Sequence, residues 1–154
     1  MRLTDNTINT VRRIASELRP VALDDLGLTA AIEWQARQFQ ERTGITVQCD
    51  CTLENFDLSR EQSTAVFRIF QEALTNVLRH AQATRVNVQM MEEDRGFILT
   101  VSDNGRGIRD DQISGQRTLG LLGMRERAYL IEGTIDITGS NGKGTVVTVR
   151  IPLS

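Results

Sequence analysis

Four short motifs carry the residue types that can hold a nucleotide. Along the chain they read QEALTN at 71–76, DNGRGI at 103–108, GLLGM at 120–124 and GKGT at 142–145. A carboxylate such as that of Asp103 can accept a hydrogen bond from an exocyclic amine, and an amide oxygen such as that of Asn76 is a hard ligand suited to Mg²⁺. Glycine lets backbone N–H groups approach phosphates closely. The ordered set therefore predicts a site for ATP and Mg²⁺.

The first motif lies on a predicted amphipathic helix. Ser59 and Gln62 form a capping-box pattern for a helix that runs to about Ala81. Its apolar face would consist of Val66, Ile69, Phe70, Ala73 and Val77. Glu72, Asn76 and Arg79 follow one another at steps of four and three residues and form a polar stripe beside that face. Such a stripe is more often a solvated helix face, so the nucleotide interpretation depends on the other motifs.

The second motif follows an apolar strand that ends at Asp103. Gly105 and Gly107 would allow the backbone to pass close under a base and ribose, although the same residues also suit a plain turn. In the third motif, Gly120 and Gly123 are expected at the start of a helix of about Leu121 to Ile131. The N–H groups there lack partners and bind phosphate, although glycine can also serve close packing.

Two further residues near these motifs have weaker claims. Arg117 could fold over the phosphates as part of a lid, although an exposed loop arginine is more often solvated. Asn141-Gly142 is a type I′ hairpin signal, which explains the fourth motif without a ligand and leaves Lys143 without a role. Gly144 and Thr145 would matter if their strand lies beneath the base, where the Thr145 hydroxyl could support Asp103 directly or through a water.

The elements before the first motif are predicted as follows. Apolar residues at steps of three and four predict a helix over 4–18 with a narrow apolar seam. A boundary is expected near Pro20, followed by a linker over 21–28 whose leucines pack inward. A second helix would start at an N-cap Thr29, bury Trp34 as a core anchor and stop at Gly44.

The strands are expected to arrive mostly as hairpins. They are predicted at 45–51, 85–91, 97–102, 134–138 and 145–151, with a polar turn over 92–96. The order α, β, α, β, β, α, β, β favours an α+β fold, a two-layer sandwich with helices on one face of a mixed, mostly antiparallel sheet.

Composition excludes several classes of protein. The 154 residues suit one domain, and 18 basic against 20 acidic side chains without a basic block argue against a nucleic-acid partner. No run of 18 apolar residues occurs, so we expect a cytoplasmic chain without direct membrane contact, although a longer parent could be anchored. Cys49 and Cys51 should share one face of a strand as reduced thiols, since a metal site needs more ligands. His80, the only histidine, is expected to bond to a neighbouring group rather than to accept a phosphoryl group.

The four motifs together resemble the catalytic, ATP-binding domain of bacterial two-component sensor histidine kinases, in the superfamily shared with gyrase, Hsp90 and MutL. Residues 71–81 resemble the family's N box, 103–108 its G1 box, 120–128 its G2 box and 142–145 its last glycine motif. The segments LRP at 18–20, LDDLGL at 23–28 and GLLGMRER at 120–127 are similar to the nitrate-sensor and DesK-like subfamily. The resemblance implies a Bergerat-type ATP-binding fold.

The resemblance also implies roles for individual residues. Asn76 would bind Mg²⁺, Glu72 would act as general base toward an accepting histidine, and Arg79 would touch phosphate. Asp103 would read adenine, and the other nucleotide-contacting positions would be Gly105, Gly107, Gly120, Leu121, Gly123, Gly144 and Thr145. Phosphoryl transfer depends mainly on positioning and charge neutralisation, to which a positioned base adds about 10²–10⁴-fold.

By the same resemblance, residues 1–19 would be a remnant of the second helix of a dimerisation hairpin, and 20–154 would be the ATP-binding domain. The accepting histidine would belong to that hairpin in a homodimeric parent kinase, which would pass the group to a response regulator. We therefore expect a chain that binds ATP without phosphorylating itself. The alternatives are a conformational ATPase of the gyrase, Hsp90 or MutL type, an anti-sigma serine kinase, and a nucleotide-binding module without chemistry.

Overall fold

The computed structural model describes residues 21–51, 56–107, 116–140 and 142–153, without the side chains of 21, 22, 80, 81, 116–118 and 140. The helix predicted over 4–18, the boundary near Pro20 and the predicted roles of the Arg117 and His80 side chains lie outside this description. In chain order the elements are α1 (Val21–Leu26), α2 (Leu28–Thr43), β1 (Thr46–Cys51), α3 (Arg60–Asn76), a π-helix (Val77–Ala81), β2 (Arg85–Glu93), β3 (Gly96–Asp103), α4 (Gln116–Leu130), β4 (Thr134–Ser140) and β5 (Gly144–Pro152).

The five strands form one mixed sheet. Their order is β1-β2-β3-β5-β4, with β1 parallel to β2 and every other neighbouring pair antiparallel. The β2–β3 hairpin turns at Asp94 and Arg95, which have φ values of 50° and 60°. Positive φ at both central residues matches the twist of a two-residue hairpin, so this turn is shorter than the predicted one.

The helices cover one face of the sheet, as the sequence predicts. Alternate residues of β2, β3 and β5 are buried toward the helices, while their neighbours are exposed or half-buried. The buried strand residues are Val86, Val88, Met90, Phe97, Leu99, Val101, Val147, Val149 and Ile151. Helix α3 packs against β3 and β5 and contributes Val66, Phe67, Ile69, Phe70, Ala73 and Leu74 to the same core. This α+β two-layer arrangement confirms the predicted fold class.

Helix α3 confirms its predicted start and apolar face. The Ser59 hydroxyl accepts from the Gln62 backbone N–H at 3.1 Å, and the Gln62 side chain accepts from the Ser59 N–H at 2.9 Å. These bonds complete the predicted capping box. At its other end the helix continues as the π-helix Val77–Ala81, so the predicted end at Ala81 is also confirmed.

The segment before β1 differs from its prediction in three respects. Residues 21–26 form helix α1 instead of a linker. Leu23 is buried, but Leu26 is 54% exposed and does not pack inward. Helix α2 begins at Leu28 after an N-cap Gly27, so Thr29 is not the N-cap, although the predicted stop at Gly44 is confirmed.

Trp34 is not a core anchor. It is 42% exposed, whereas Ile32 and Ala36 on the same helix are buried. Residues two apart on a helix point to different sides, so Trp34 faces away from the side that packs on the molecule. In the described part of the chain, no helix is long and apolar enough to cross a membrane.

Candidate functional site

Asp103 ends β3 on the side of the sheet that carries the helices. It continues the alternation of Leu99 and Val101, both buried toward the helices. Its side chain is half-buried, and its Oδ1 accepts a hydrogen bond from the Gly105 N–H at 2.8 Å. This bond orients the carboxylate toward the start of the glycine loop.

The start of β5 lies directly against Asp103. Gly144 has φ +85°, and a Cβ added there would collide with the Asp103 carbonyl oxygen and lie 2.8 Å from its carbonyl carbon. Only glycine allows the two backbones to come this close. The register pairs Ser102 with Val146, so the next residues, Asp103 and Thr145, are neighbours across the strands.

Thr145 brings a buried hydroxyl to this position. The residue is 8% exposed, and among the described residues its Oγ1 has no hydrogen-bond partner. The predicted direct hydrogen bond to Asp103 is therefore not formed, and support through a water stays a prediction. A buried hydroxyl without a partner is costly, so this atom calls for a water or ligand.

Asn104 fastens the glycine loop to the start of β2, which the sequence analysis missed. Its Oδ1 accepts from the backbone N–H groups of Thr84 at 2.9 Å and Arg85 at 3.0 Å, and its Nδ2 donates to the Thr84 hydroxyl at 2.9 Å. The signal was an asparagine immediately after a strand, since such side chains commonly bond to nearby backbone.

The second and fourth motifs are also joined to each other. The Gly142 N–H donates to the Arg106 carbonyl at 2.8 Å, which ties the β4–β5 turn to the loop after Asp103. Gly105 and Gly107 are buried in this loop, and Gly107 has φ +80°. The second and fourth motifs therefore form one continuous structure.

The first and third motifs meet where α3 packs on α4. A Cβ added at Gly120 would collide with Glu72 Oε1 and lie 3.7 Å from Asn76 Oδ1. Because Gly120 has no side chain, the main chain of α4 packs closely against Glu72 and Asn76, the two side chains predicted to act on phosphate and metal. Glu72, Gly120 and Gly123 also line a cleft of about 300 Å³ between these helices, called the α3–α4 cleft below.

The predicted helix start at Gly120 is wrong. Helix α4 begins at Gln116, so Gly120, Leu121 and Gly123 lie inside the helix and not at its N-terminus. Leu121 is 9% exposed and belongs to the core. Gly120 is explained by the alternative of close packing, here against Glu72. In the described structure these residues therefore do not offer the free N–H groups of a helix start.

The carboxylate of Glu72 has a distinctive electrostatic setting. Burial raises its pKa above the ordinary value, while the nearby positive charges of Arg79 and Arg127 act in the opposite direction. Glu72 and Asn76 are half-buried, whereas Arg79 is exposed. A raised pKa makes the carboxylate a stronger proton acceptor, which suits a general base.

The two halves of the site lie at the same end of the sheet. The π-helix that carries Arg79 ends at Ala81, and three residues later Thr84 is bonded to Asn104. Helix α3 also packs on β3 and β5, the strands that supply Asp103 and Thr145. The polar groups at these two positions fit a nucleotide. Asp103 and the unpartnered Thr145 hydroxyl lie at one position, and the Asn76 amide oxygen and the Glu72 carboxylate lie at the other.

The two cysteines share one face of β1, as the sequence predicts. Cys49 and Cys51 are half-buried on the same face of β1, and both are free thiols. Burial is the main factor that raises the pKa of each to about 11, so both stay protonated at neutral pH. Among the described residues, no three His, Cys, Asp or Glu side chains are grouped to hold a metal.

Comparison with known proteins identifies the family. The profile described as "Histidine kinase-, DNA gyrase B-, and HSP90-like ATPase" matches residues 61–154, which include all four motifs. The chain belongs to this family. The resemblance seen in the motifs is therefore confirmed.

Two curated relatives of this ATPase domain are sensor histidine kinases. The chain is 39% identical over 147 residues to the oxygen sensor histidine kinase NreB of Staphylococcus carnosus, covering 96% of the chain and 42% of that protein. It is 41% identical over 152 residues to the sensor histidine kinase MctS of Rhizobium johnstonii, covering 97% of the chain and 33% of that protein. The chain thus spans less than half the length of either relative.

Solved structures of histidine kinases share the fold. The histidine kinase domain of the Erythrobacter litoralis blue-light activated kinase EL346 matches with a TM-score of 0.70 and 26% identity, covering 82% of this chain and 61% of that one. The histidine kinase AdeS of Acinetobacter baumannii matches with a TM-score of 0.70 over 97% of this chain and 81% of that one. Its 16% identity supports the fold alone.

Proposed function

We propose that this ATPase-family chain is the ATP-binding catalytic domain of a sensor histidine kinase, which donates the γ-phosphoryl group of ATP to a histidine on a dimerisation domain. The observation that carries the proposal is the joint arrangement of the motifs. Asp103 and Thr145 lie together at one position, and Glu72, Asn76 and Gly120 lie together at another. The kinase relatives at about 40% identity support the same function.

In this proposal Asp103 accepts a hydrogen bond from the adenine amine. Gly144 and Thr145 lie under the base, and the unpartnered Thr145 hydroxyl gains a water or ligand partner when nucleotide binds. Gly105 and Gly107 line the same pocket. The loop needs no large movement for this role, because Asn104 and Gly142 already hold it in place.

The phosphates and the metal would bind at the position formed by Glu72, Asn76 and Gly120. Asn76 would hold Mg²⁺, which neutralises charge on the phosphates when bound. Arg79, Gly120, Leu121 and Gly123 would contact or shape the phosphate site. Since the last three lie inside α4, their role requires the start of α4 to unwind or shift when ATP binds.

Glu72 is the proposed general base. The histidine imidazole would attack the γ-phosphorus while its N–H proton passes to the Glu72 carboxylate. The bond to the β,γ-bridging oxygen breaks and ADP leaves. The half-buried position of Glu72 beside Gly120 supports this assignment.

The proposed partners are the dimerisation domain, which makes the whole kinase a homodimer, and a response regulator that takes the phosphoryl group on an aspartate. The proposed location of this domain is the cytoplasm, where ATP and a regulator are available. Neither nucleic acid nor a direct membrane contact is part of the proposal.

Phosphoryl transfer in trans tests this function. The chain is mixed with Mg²⁺, radiolabelled ATP and a separately prepared dimerisation hairpin that carries an acceptor histidine. We expect acid-labile, base-stable label on the hairpin, and none when Asn76→Ala replaces the parent chain or when the acceptor histidine is changed to glutamine. An unlabelled hairpin with a chain that binds ATP would contradict the kinase proposal. Steady ATP hydrolysis without an acceptor would favour a conformational ATPase.

A further inference from the structure

The α3–α4 cleft contains two arginines beyond the residues with a proposed role. Arg68 on α3 and Arg127 on α4 both line the cleft of about 300 Å³ that also contains Glu72 and Gly123. They come from different helices, so their meeting is a feature of the fold and not of local sequence. Gln71 and Thr75 add two neutral polar side chains to the same wall.

Along the cleft, the two arginines lie on the opposite side of Glu72 from Asn76. On α3, Arg68 and Asn76 lie four residues before and after Glu72, which is about 6 Å in each direction at 1.5 Å per residue. Gly120 lies against Glu72 and near Asn76, while Arg127 lies two turns further along α4. Glu72 therefore separates the proposed metal ligand from the arginine pair.

Among its described lining residues, the cleft has more positive than negative side chains. Glu72 is the only acidic side chain among the described lining residues, against the two arginines. Burial lowers the pKa of Arg68, and the positive charge of Arg127 lowers it further. An anion that bridges two guanidinium groups lowers the repulsion between their charges.

Arg127 is available to such an anion. Its side chain is exposed, and within the described ranges it makes no hydrogen bond and no ion pair within 4.0 Å. Arg68 is positioned by a hydrogen bond from its Nη1 to Gln71 Oε1 at 3.0 Å. Guanidinium groups bind phosphoryl oxygens in a two-pronged geometry, which makes arginine well suited to this class of ligand.

We propose that Arg68 and Arg127 form a phosphoryl-binding subsite on the acceptor side of Glu72. This inference rests on the proposed function. As the P–N bond to the imidazole forms and the bond to the ADP oxygen breaks, the phosphoryl group moves away from Asn76, the proposed metal ligand. The two guanidinium groups bind its oxygens there, and the imidazole proton passes to Glu72. The subsite binds the transferred group much more strongly than it binds ATP.

The first experiment separates transfer from nucleotide binding. Arg127→Gln and Arg68→Gln are compared with Arg127→Lys and with Arg125→Gln, a matched loss of one exposed arginine on the same helix that does not line the cleft. We expect the two cleft variants to lower single-turnover transfer to the hairpin by about 10- to 100-fold, the loss of a charge-assisted hydrogen bond. Their ATP affinity should change less than threefold, Arg127→Lys should recover part of the rate, and Arg125→Gln should match the parent.

A second measurement does not need an acceptor. Inorganic phosphate is titrated into the ADP- and Mg²⁺-saturated chain, and its affinity is followed by the NMR shifts of the arginine side-chain N–H groups. We expect the signals of Arg68 and Arg127 to move with saturation in the parent and in Arg125→Gln, and phosphate binding to weaken at least tenfold in Arg127→Gln.

The outcomes distinguish an error in the proposed function from an error in the arginine subsite. If the parent chain binds no ATP, the proposed function itself is wrong. If the parent binds ATP but Arg127→Gln and Arg125→Gln bind phosphate equally, the subsite is wrong and the proposed function stands. A fall in ATP affinity equal to the fall in transfer would also overturn the subsite, because the arginines would then be part of the nucleotide site.

Discussion

At the scale of single residues, Gly144 determines how closely β5 can approach Asp103. The position combines φ +85° with direct contact against the Asp103 carbonyl group. A side chain there would push away the strand that carries Thr145 and tilt the carboxylate that faces the proposed base pocket. Gly142 in the same turn has φ +80° but open space around it, which makes it a natural control.

Gly144→Ala should therefore destabilise the protein by about 3 kcal/mol, the sum of a left-handed backbone penalty and overpacking. Gly142→Ala should lose only about 1 kcal/mol, because it meets the backbone penalty alone. Urea unfolding followed by circular dichroism measures both free energies. Equal losses in the two variants would show that the close contact with Asp103 adds nothing to the destabilisation.

Glu72 gives a pH-dependent prediction. Because burial raises its pKa in the folded state, the ionised carboxylate destabilises the fold relative to its protonated form. This effect is absent below the unfolded-state pKa, where Glu72 is protonated in both states, and grows as pH rises through the folded-state pKa. Glu72→Gln should therefore gain stability relative to the parent as pH rises above about 4, the range in which the unfolded-state carboxyl ionises.

Thermal unfolding of both proteins across that range checks the sign. The difference in melting temperature should move in favour of Glu72→Gln as pH rises. A difference that moves toward the parent would mean that Arg79 and Arg127 outweigh burial and that the pKa of Glu72 is lowered.

At the scale of elements, the Asn104 side chain joins the loop after β3 to the start of β2. One side chain satisfies two backbone N–H groups and the Thr84 hydroxyl, while the Asn104 N–H also donates to the Arg85 carbonyl at 3.2 Å. The link connects the chain that leaves the π-helix with the loop after Asp103. It therefore connects the two halves of the site.

Asn104→Ala should destabilise the protein by about 2 kcal/mol, because backbone donors at Thr84 and Arg85 lose their acceptor. ATP affinity should fall as the loop loosens, whereas Asn104→Asp keeps the acceptor oxygen and should lose less of both. Chemical denaturation and calorimetry measure the two quantities. If Asn104→Ala leaves stability and affinity unchanged, water replaces the side chain without loss and the loop does not depend on it.

At the scale of the whole molecule, the sequence was most informative where periodicity and turn chemistry agreed. The capping box at Ser59, the apolar face of α3 and the alternating strands predicted the two-layer fold, since these signals depend on neighbours a few residues away. Close packing at Gly120 was one of the two interpretations from the sequence, and the structure contains it. The close approach of Gly144 to Asp103 was not predicted.

The errors have a common physical origin in contacts between distant parts of the chain. The outward orientation of Trp34 and the start of α4 at Gln116 depend on which helix faces pack together, and local sequence does not determine this. The tie from Asn104 to Thr84 spans 20 residues and has no periodic signature. The same reason hid the meeting of Arg68 and Arg127, which belong to different helices.

The central claim is a single nucleotide pocket with Asp103 at the base and Asn76 at the metal, and isothermal titration calorimetry with ATP and Mg²⁺ tests it most directly. We expect saturable, one-to-one binding to the parent chain that Asp103→Ala reduces at least tenfold with or without Mg²⁺. Asn76→Ala should remove the dependence on Mg²⁺. No heat of binding with the folded parent chain, or unchanged affinity in both variants, would contradict the account.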